Sequence, residues 1–159
     1  MTASPVVQLY LDSHGIEFDT LAHTPSVSSM RAAKAAGVSG DKMVKAVVLK
    51  KLQQKESYLL AVMPASHRLH RLELQEHLNE HIDLALEEEL TRLFPDCEPG
   101  AVPPLGEAYG IETFVDDSIT EQTDVYFEGG DHVTLVHVVG PAFCSLMASA
   151  THGRFSSHR

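Results

Sequence analysis

The chain has no tryptophan and only two cysteines in 159 residues. Cys97 and Cys144 stand far apart with no C-x-x-C, so neither a disulfide framework nor a thiolate zinc ribbon is signalled. Reduced thiols in a cytoplasmic setting are the expectation. No apolar run approaches the roughly 18 residues of a membrane span. The opening M-T-A-S-P lacks the basic and apolar stretches of a secretory signal. There is no G-x-S-x-G elbow, no P-loop and no G-x-G-x-x-G, so neither a serine hydrolase nor a nucleotide-cofactor enzyme is signalled. Internal repeats and linkers are also missing. Residues 1–159 read as a single domain, large enough to bury a real core.

Positive charge is scarce in one half. Residues 1–71 hold 9 Lys/Arg against 5 Asp/Glu, whereas residues 72–159 hold 3 against 17, within a total of −10. Such an acidic chain is a poor indiscriminate nucleic-acid binder, and no DNA or membrane partner is expected. One basic face remains open to it, from Lys42, Lys45, Lys50, Lys51, Lys55, Arg68 and Arg71. The alternative is that these are scattered solubilising charges.

Hydrophobic residues make up 43% of the chain, and their spacing alternates between two periods. Ser4-Pro5 opens a helix ended by Gly15, with Ser4 as N-cap. Ile16 to Leu21 alternates as a half-buried strand, broken by His23-Thr24-Pro25. A small-residue helix covers Ser26 to Ala36. Met43 to Lys51 is the strongest strand, with Lys45, Val47 and Leu49 on one face and Val44, Ala46 and Val48 on the other. It turns through Gln53 to Glu56 into a second strand, Ser57 to Met63. A basic loop, Ser66 to Arg71, precedes a short helix over Leu72 to Asn79. Ile82 to Leu86 is short and ambiguous. Glu87 to Phe94 is an acid-led helix whose three glutamates suit a solvated, dipole-favoured start. Ile111 to Val115 is a strand. A hairpin joins Asp124 to Phe127 with His132 to Val138 across Glu128-Gly129-Gly130-Asp131. Pro141 starts a closing helix with Phe143, Leu146 and Met147 inward, and G-R-F-S-S-H-R reads as a frayed tail. Helices at both ends with hairpins between imply an α+β domain around a mixed sheet.

Two places stand out as candidates for chemistry. Asp96 to Gly106 (D-C-E-P-G-A-V-P-P-L-G) is too rich in Pro and Gly for helix or central strand. It is either a rigid connector or a stiff loop presenting backbone N–H groups to a ligand. Lys45, inside an apolar run, needs a reason, because a buried unpaired ammonium is costly. It either snorkels from a strand edge or serves a site. Cys97 lacks an identifiable base and reads as a small buried filler rather than a nucleophile. The ten histidines include pairs at ligand-like spacing, His67/His70 and His77/His81, but no Glu follows His77 and the stretch is polar. No metal and no cofactor are expected.

The set H-T-P, K-A-V-V-L-K, F-P-D-C-E-P-G-A-V-P-P-L-G and Y-F-E-G-G-D-H, in this order, resembles the YbaK/prolyl-tRNA-synthetase-associated domain family of aminoacyl-tRNA deacylases. The likeness runs from about Val6 to Ala150. It implies a mixed, partly barrel-like sheet surrounded by helices. It also implies a trans-editing hydrolase that deacylates mischarged tRNA carrying a small amino acid, with no metal or covalent nucleophile. The essential strand lysine of the family maps to Lys45, and its loop glycine and proline map to Gly100 and Pro104. Val47, Ala101, Val102 and His132 are the expected substrate-binding residues; His137 has no counterpart that can be assigned. The expected partners are mischarged tRNA and an aminoacyl-tRNA synthetase. The alternative is a non-catalytic module that docks on such a synthetase or another protein.

Overall fold

The computed structural model describes residues 3–26 and 28–159. Val27, inside the helix expected from Ser26, lies outside them. Helix α1 (Pro5–Ser13) starts as the sequence predicts, with the Ser4 hydroxyl accepting from the Val7 N–H and Pro5 in the first turn. Strand β1 (Asp19–Ala22) comes later than expected, and all four of its residues are exposed. It is an edge strand, paired with one neighbour only. Ile16 and Phe18 reach the core from the connecting segment instead. Helix α2 (Ser29–Ala36) is capped by Ser28 and ended by Gly37 at φ 71°, a left-handed value that costs glycine little.

Strands β2 (Met43–Lys51) and β3 (Tyr58–Pro64) form the expected hairpin, in register from Val44 opposite Pro64 to Lys50 opposite Tyr58. There follow β4 (His67–Leu69), α3 (Arg71–Leu78), β5 (Ile82–Leu84) and α4 (Glu87–Leu93). The second half holds β6 (Glu112–Asp116), β7 (Asp124–Glu128), β8 (Thr134–Val139), α5 (Gly140–Leu146), β9 (Thr151–Gly153) and β10 (Ser156–His158). The main sheet has the order β1-β8-β7-β2-β3-β6-β9, with β5 also on β2, and β10 pairs with β4 in a second sheet. The β2–β7, β3–β6 and β6–β9 pairs are parallel and the rest antiparallel. This is the α+β architecture with a mixed sheet that the element order implied.

The alternation of β2 divides the core. Val44 and Val48 join Val7, Leu11, Phe127 and Phe143 in the main cluster. On the other face, Leu49 packs with Leu74 and Phe155, and Met43 packs with Ala32 and Ala33 of α2. Val47 packs against the Leu49 group, and Lys45 lies between it and Met43 along the strand.

Three expectations need correcting. The stretch 66–71 is not a loop, because His67–Leu69 is a strand paired with β10. The C-terminal segment is not frayed: Phe155 is fully buried, and the Asp116 carboxylate accepts from the Phe155 N–H and the Ser156 hydroxyl. The triple glutamate is not uniformly solvated, because Glu89 is buried, accepts from the Tyr58 hydroxyl and pairs with Lys50 at 3.2 Å. These hydrogen bonds, that from Tyr58 foremost, hold the Glu89 carboxyl down at about 2.

Candidate functional site

Strand β2 has a break along one edge. One edge pairs continuously with β3. The other pairs with β7 only at Met43 and Val44, and with β5 only from Leu49 to Lys51. From Lys45 to Val47, no strand pairs on that side among the described residues. The interruption shows in burial too, since Lys45, Ala46 and Val47 are half-buried in an otherwise mostly buried strand.

Which backbone groups face the break follows from the hydrogen bonds around it. The Met43 carbonyl accepts from Ala65 and the Lys51 N–H donates to Ser57, both toward β3. The carbonyls of Lys42 and Val48 accept from Tyr126 and Ala85, and the Leu52 N–H donates to His81, all on the opposite side. A strand residue points its N–H and C=O to the same edge, and edges alternate along the chain. The N–H and C=O of Ala46 therefore both face the break.

Lys45 stands at the edge of this opening. Its ammonium donates to the main-chain carbonyl of His67 at 2.6 Å. Burial, and then the nearby Arg159 charge, pull its pKa below the usual lysine value. No carboxylate pairs with Lys45 among the described residues. By contrast, Lys50 pairs with Glu89, Lys51 with Glu112 at 2.7 Å, and Arg71 with Asp83 at 3.1 Å. Three members of the supposed basic face are thus neutralised locally, whereas Lys45, like Lys42, Lys55 and Arg68, has no carboxylate partner among the described residues.

The proline/glycine loop and the hairpin turn are joined to each other. Pro99–Ala101 form a single 3-10 turn. The Glu98 N–H donates to the Gly130 carbonyl at 2.7 Å. A methyl group at Gly100 would lie 2.7 Å from Cε1 of His132, so the imidazole occupies the space a side chain would take. His132 itself has φ 65°, which fixes the turn in a conformation few side chains favour. Structure thus brings Gly100 and His132 together, as the sequence placed both in one site.

The side chains of the other loop residues turn inward. Ala101, Val102, Pro103 and Pro104 are buried, and Val102 belongs to the main core beside Leu105. The Ala101 N–H is already donated to the Glu98 carbonyl at 2.9 Å. Of this turn, the Gly100 amide is the one with no acceptor among the described residues. The Val102 side chain packs on the Val44/Val48 face of β2, opposite the face that carries Lys45.

Sequence reasoning missed a buried pair near the break. His23 and Glu128 are both buried, with His23 Nε2 3.7 Å from Glu128 Oε1. His23 Nδ1 is taken up by the Thr24 carbonyl at 2.7 Å. His23 Nε2 and Glu128 Oε2 have no hydrogen-bond partner among the described residues. Burial, and then the Asp131 charge, push the Glu128 carboxyl up to about 8. Glu128 shares a face with Tyr126 and lies one step beyond the Val44–Phe127 pair, level with Lys45. The available signal was a glutamate closing an apolar strand just before Gly129-Gly130.

Cys97, read from sequence as a buried filler, is half-buried. Its thiol touches Tyr109 and Asp96, and burial above all pushes it up to about 11, far from a nucleophilic thiolate at neutral pH. His137, unassigned from sequence, bridges Asp19 of β1 and Asp124 of β7 at 2.7 and 2.8 Å and stacks on Tyr126. It ties three strands together.

A family model described as the aminoacyl-tRNA editing domain matches residues 23–145. The chain belongs to that family. The matched span takes in His23, the β2 break, the loop and the His132 turn. Among solved structures, the hypothetical protein APE2540 superposes with a TM-score of 0.82 at 22% identity, over 96% of this chain and 99% of that one. A candidate trans-editing enzyme for prolyl tRNA synthetase superposes with a TM-score of 0.81 at 20% identity, over 96% and 95%. At such identities these likenesses establish the fold shared by the editing domains. A comparison with curated proteins gave no match. No helix among the described residues is long and apolar enough to cross a membrane.

Proposed function

We propose that this editing domain hydrolyses the ester of mischarged tRNA carrying a small amino acid. The observation that carries the reading is the break in the β2 edge, with Lys45 beside it having no carboxylate partner among the described residues. An aminoacyl ester is already activated, so hydrolysis needs orientation, a placed water and stabilisation of the developing oxyanion. Lys45 supplies a cation for a phosphate or the terminal ribose of the tRNA. The amides of Gly100 and Ala46 are the donors available for an oxyanion, and His132 fixes the turn beside them. Val47, on the same face as Lys45, lines the amino-acid end. One methylene in such a pocket is worth only about 1–3 kcal/mol, which is why editing is separated from charging. Pro104 holds the loop shape rather than touching substrate. No metal or covalent nucleophile enters this scheme, and Cys97 plays no part in it.

The test is deacylation of tRNAs mischarged with Ala, Ser, Thr and Cys, by the wild type and by Lys45→Ala. Hydrolysis of one or two of these substrates, lost in the variant, supports the proposal. Inactivity of a well-folded wild type on all four overturns it. One observation favours a second reading, a non-catalytic module that docks on a synthetase: two lysines of β2, Lys50 and Lys51, are already paired with glutamates. Direct tRNA binding that falls steeply with salt argues against that reading, and absent binding argues for it.

A further inference from the structure

The stretch beyond the family match brings together three groups that the sequence keeps far apart. Asp41 precedes β2, His67 lies in β4, and His158 lies in β10. One ligand atom from each falls within 4.8 Å of the other two. His158 Nε2 lies 2.8 Å from Asp41 Oδ1, and the rings of His67 and His158 meet edge-on with centroids 4.5 Å apart. We propose that Asp41, His67 and His158 form a binding site for a divalent transition metal of the zinc class.

Supporting groups around the three are arranged as such a site requires. The Ser156 hydroxyl donates to Asp116 at 2.8 Å, so its oxygen is left to accept from His67 Nδ1, also at 2.8 Å. That assigns the proton of His67 to Nδ1 and leaves Nε2 with a free lone pair for a ligand bond. A carboxylate acting through a hydroxyl to fix the tautomer of a histidine is the kind of support that metal-binding histidines receive. The Ser66 hydroxyl similarly donates to Asp41 Oδ1 and orients that carboxylate. His67 is buried at 6% exposure, which makes it the anchored ligand. The side chains of His158 and Asp41 are 67% and 49% exposed, so these two are the ligands free to move. Donor atoms of a tetrahedral zinc site lie about 3.3 Å apart, given bonds of roughly 2.0–2.1 Å. Closing to that spacing asks only for small rotations of the two exposed side chains. The proton between His158 and Asp41 then occupies the place that the metal takes.

Two imidazoles and one carboxylate suit zinc, copper or nickel rather than calcium or magnesium, and three protein ligands leave a fourth position for water. The carboxylates of Asp41 and Asp116 offset the metal, while Lys45 is engaged with the His67 carbonyl. The pairs that spacing alone suggested are not the site. His70 is occupied by the Ser157 hydroxyl at 2.6 Å, and His77 packs against Phe114. A metal held here would clamp β10 onto β4, and β4 carries the acceptor of Lys45.

The experiment titrates chelator-treated full-length protein with Zn2+ alone, by calorimetry or against a chromophoric chelator. Wild type is expected to take up one equivalent and to melt higher with it. His158→Ala and Asp41→Asn, both exposed and tolerant positions, should each weaken binding at least tenfold. The control His77→Ala/His81→Ala should bind as wild type does. Unchanged affinity in both ligand variants overturns the proposal, as does the absence of binding. Loss of binding only in the His77/His81 control also overturns it, since that result means adventitious capture by surface histidines.

Discussion

The Lys45 ammonium is held by the main-chain carbonyl of His67 at 2.6 Å, while the side chain of the same His67 is held by Ser156. One residue of β4 thus serves the candidate site through its backbone and the C-terminal strand through its ring. Lys45 meets no carboxylate there, so its charge is available to an anionic ligand. Lys45→Met should keep the fold, because it removes a half-buried charge at the loss of one charged hydrogen bond, about 1.5–3 kcal/mol. Its deacylation kcat/KM should fall at least 100-fold. Thermal melting beside single-turnover deacylation checks both, and an active Lys45→Met protein would remove the lysine from the mechanism.

Gly100 and His132 should behave as one unit. In Gly100→Ala the new methyl meets His132 Cε1, and the imidazole must swing away. Activity should drop about tenfold or more, with melting shifted by only a few degrees, since Gly100 is exposed. In a His132→Ala background the same substitution should cost much less, a coupling that a double-mutant cycle measures. Equal losses in both backgrounds would mean that the glycine acts through its own approach to substrate.

Glu128 sets a pH dependence of stability. Its carboxyl titrates at about 8 when folded, against 4.5 for the free side chain. Below about 4.5 both states hold the proton and the group is neutral in effect. Between 4.5 and 8 only the folded state holds it, so stability falls as pH rises, by up to about 1.4 kcal/mol per pH unit. Above 8 the penalty stays constant. Glu128→Gln, still facing His23, should unfold at higher urea than wild type at pH 7.5, and the gap should narrow toward pH 5. Parallel pH profiles for the two proteins would show that Glu128 is ionised in the fold.

Cys97 should be dispensable for chemistry. Cys97→Ala is expected to retain deacylation within about twofold, because a thiol at about 11 supplies almost no thiolate at neutral pH. Iodoacetamide at pH 8 followed by peptide mapping should leave Cys97 unmodified in the folded protein.

Much of the architecture was legible because its signals are local. Ser4-Pro5 and Gly37 mark helix ends, and the alternation from Met43 to Lys51 separates the Lys45 face from the Val44 face. The loop and the His132 turn were legible as a pair through the family likeness. The parts that escaped depend on partners distant in sequence. Nothing local marks Ser156–His158 as a strand, since its pairing with His67–Leu69 spans about 90 residues. Glu89 resembles its two exposed neighbours until Tyr58 and Lys50 arrive from β2 and β3. Composition left the loop open between a connector and a ligand loop, and that the side chains of Ala101 and Val102 turn into the core depends on residues distant in sequence. The break in β2 is a property of where β7 and β5 stop, which no residue of β2 encodes.

The pairing of β10 with β4 has a consequence for the order of assembly. During synthesis β4 emerges long before β10, and the main sheet also waits for β7 to join β2 and β9 to join β6. Such non-local pairings close late and slow the folding of a chain. His67 therefore receives its ring partner only after Ser156 has been made. A nascent chain can hold a formed β2–β3 hairpin while the corner behind Lys45 is still incomplete. The corner behind Lys45 thus waits for residues 156–158, and a chain stopped before them lacks the strand that packs against His67.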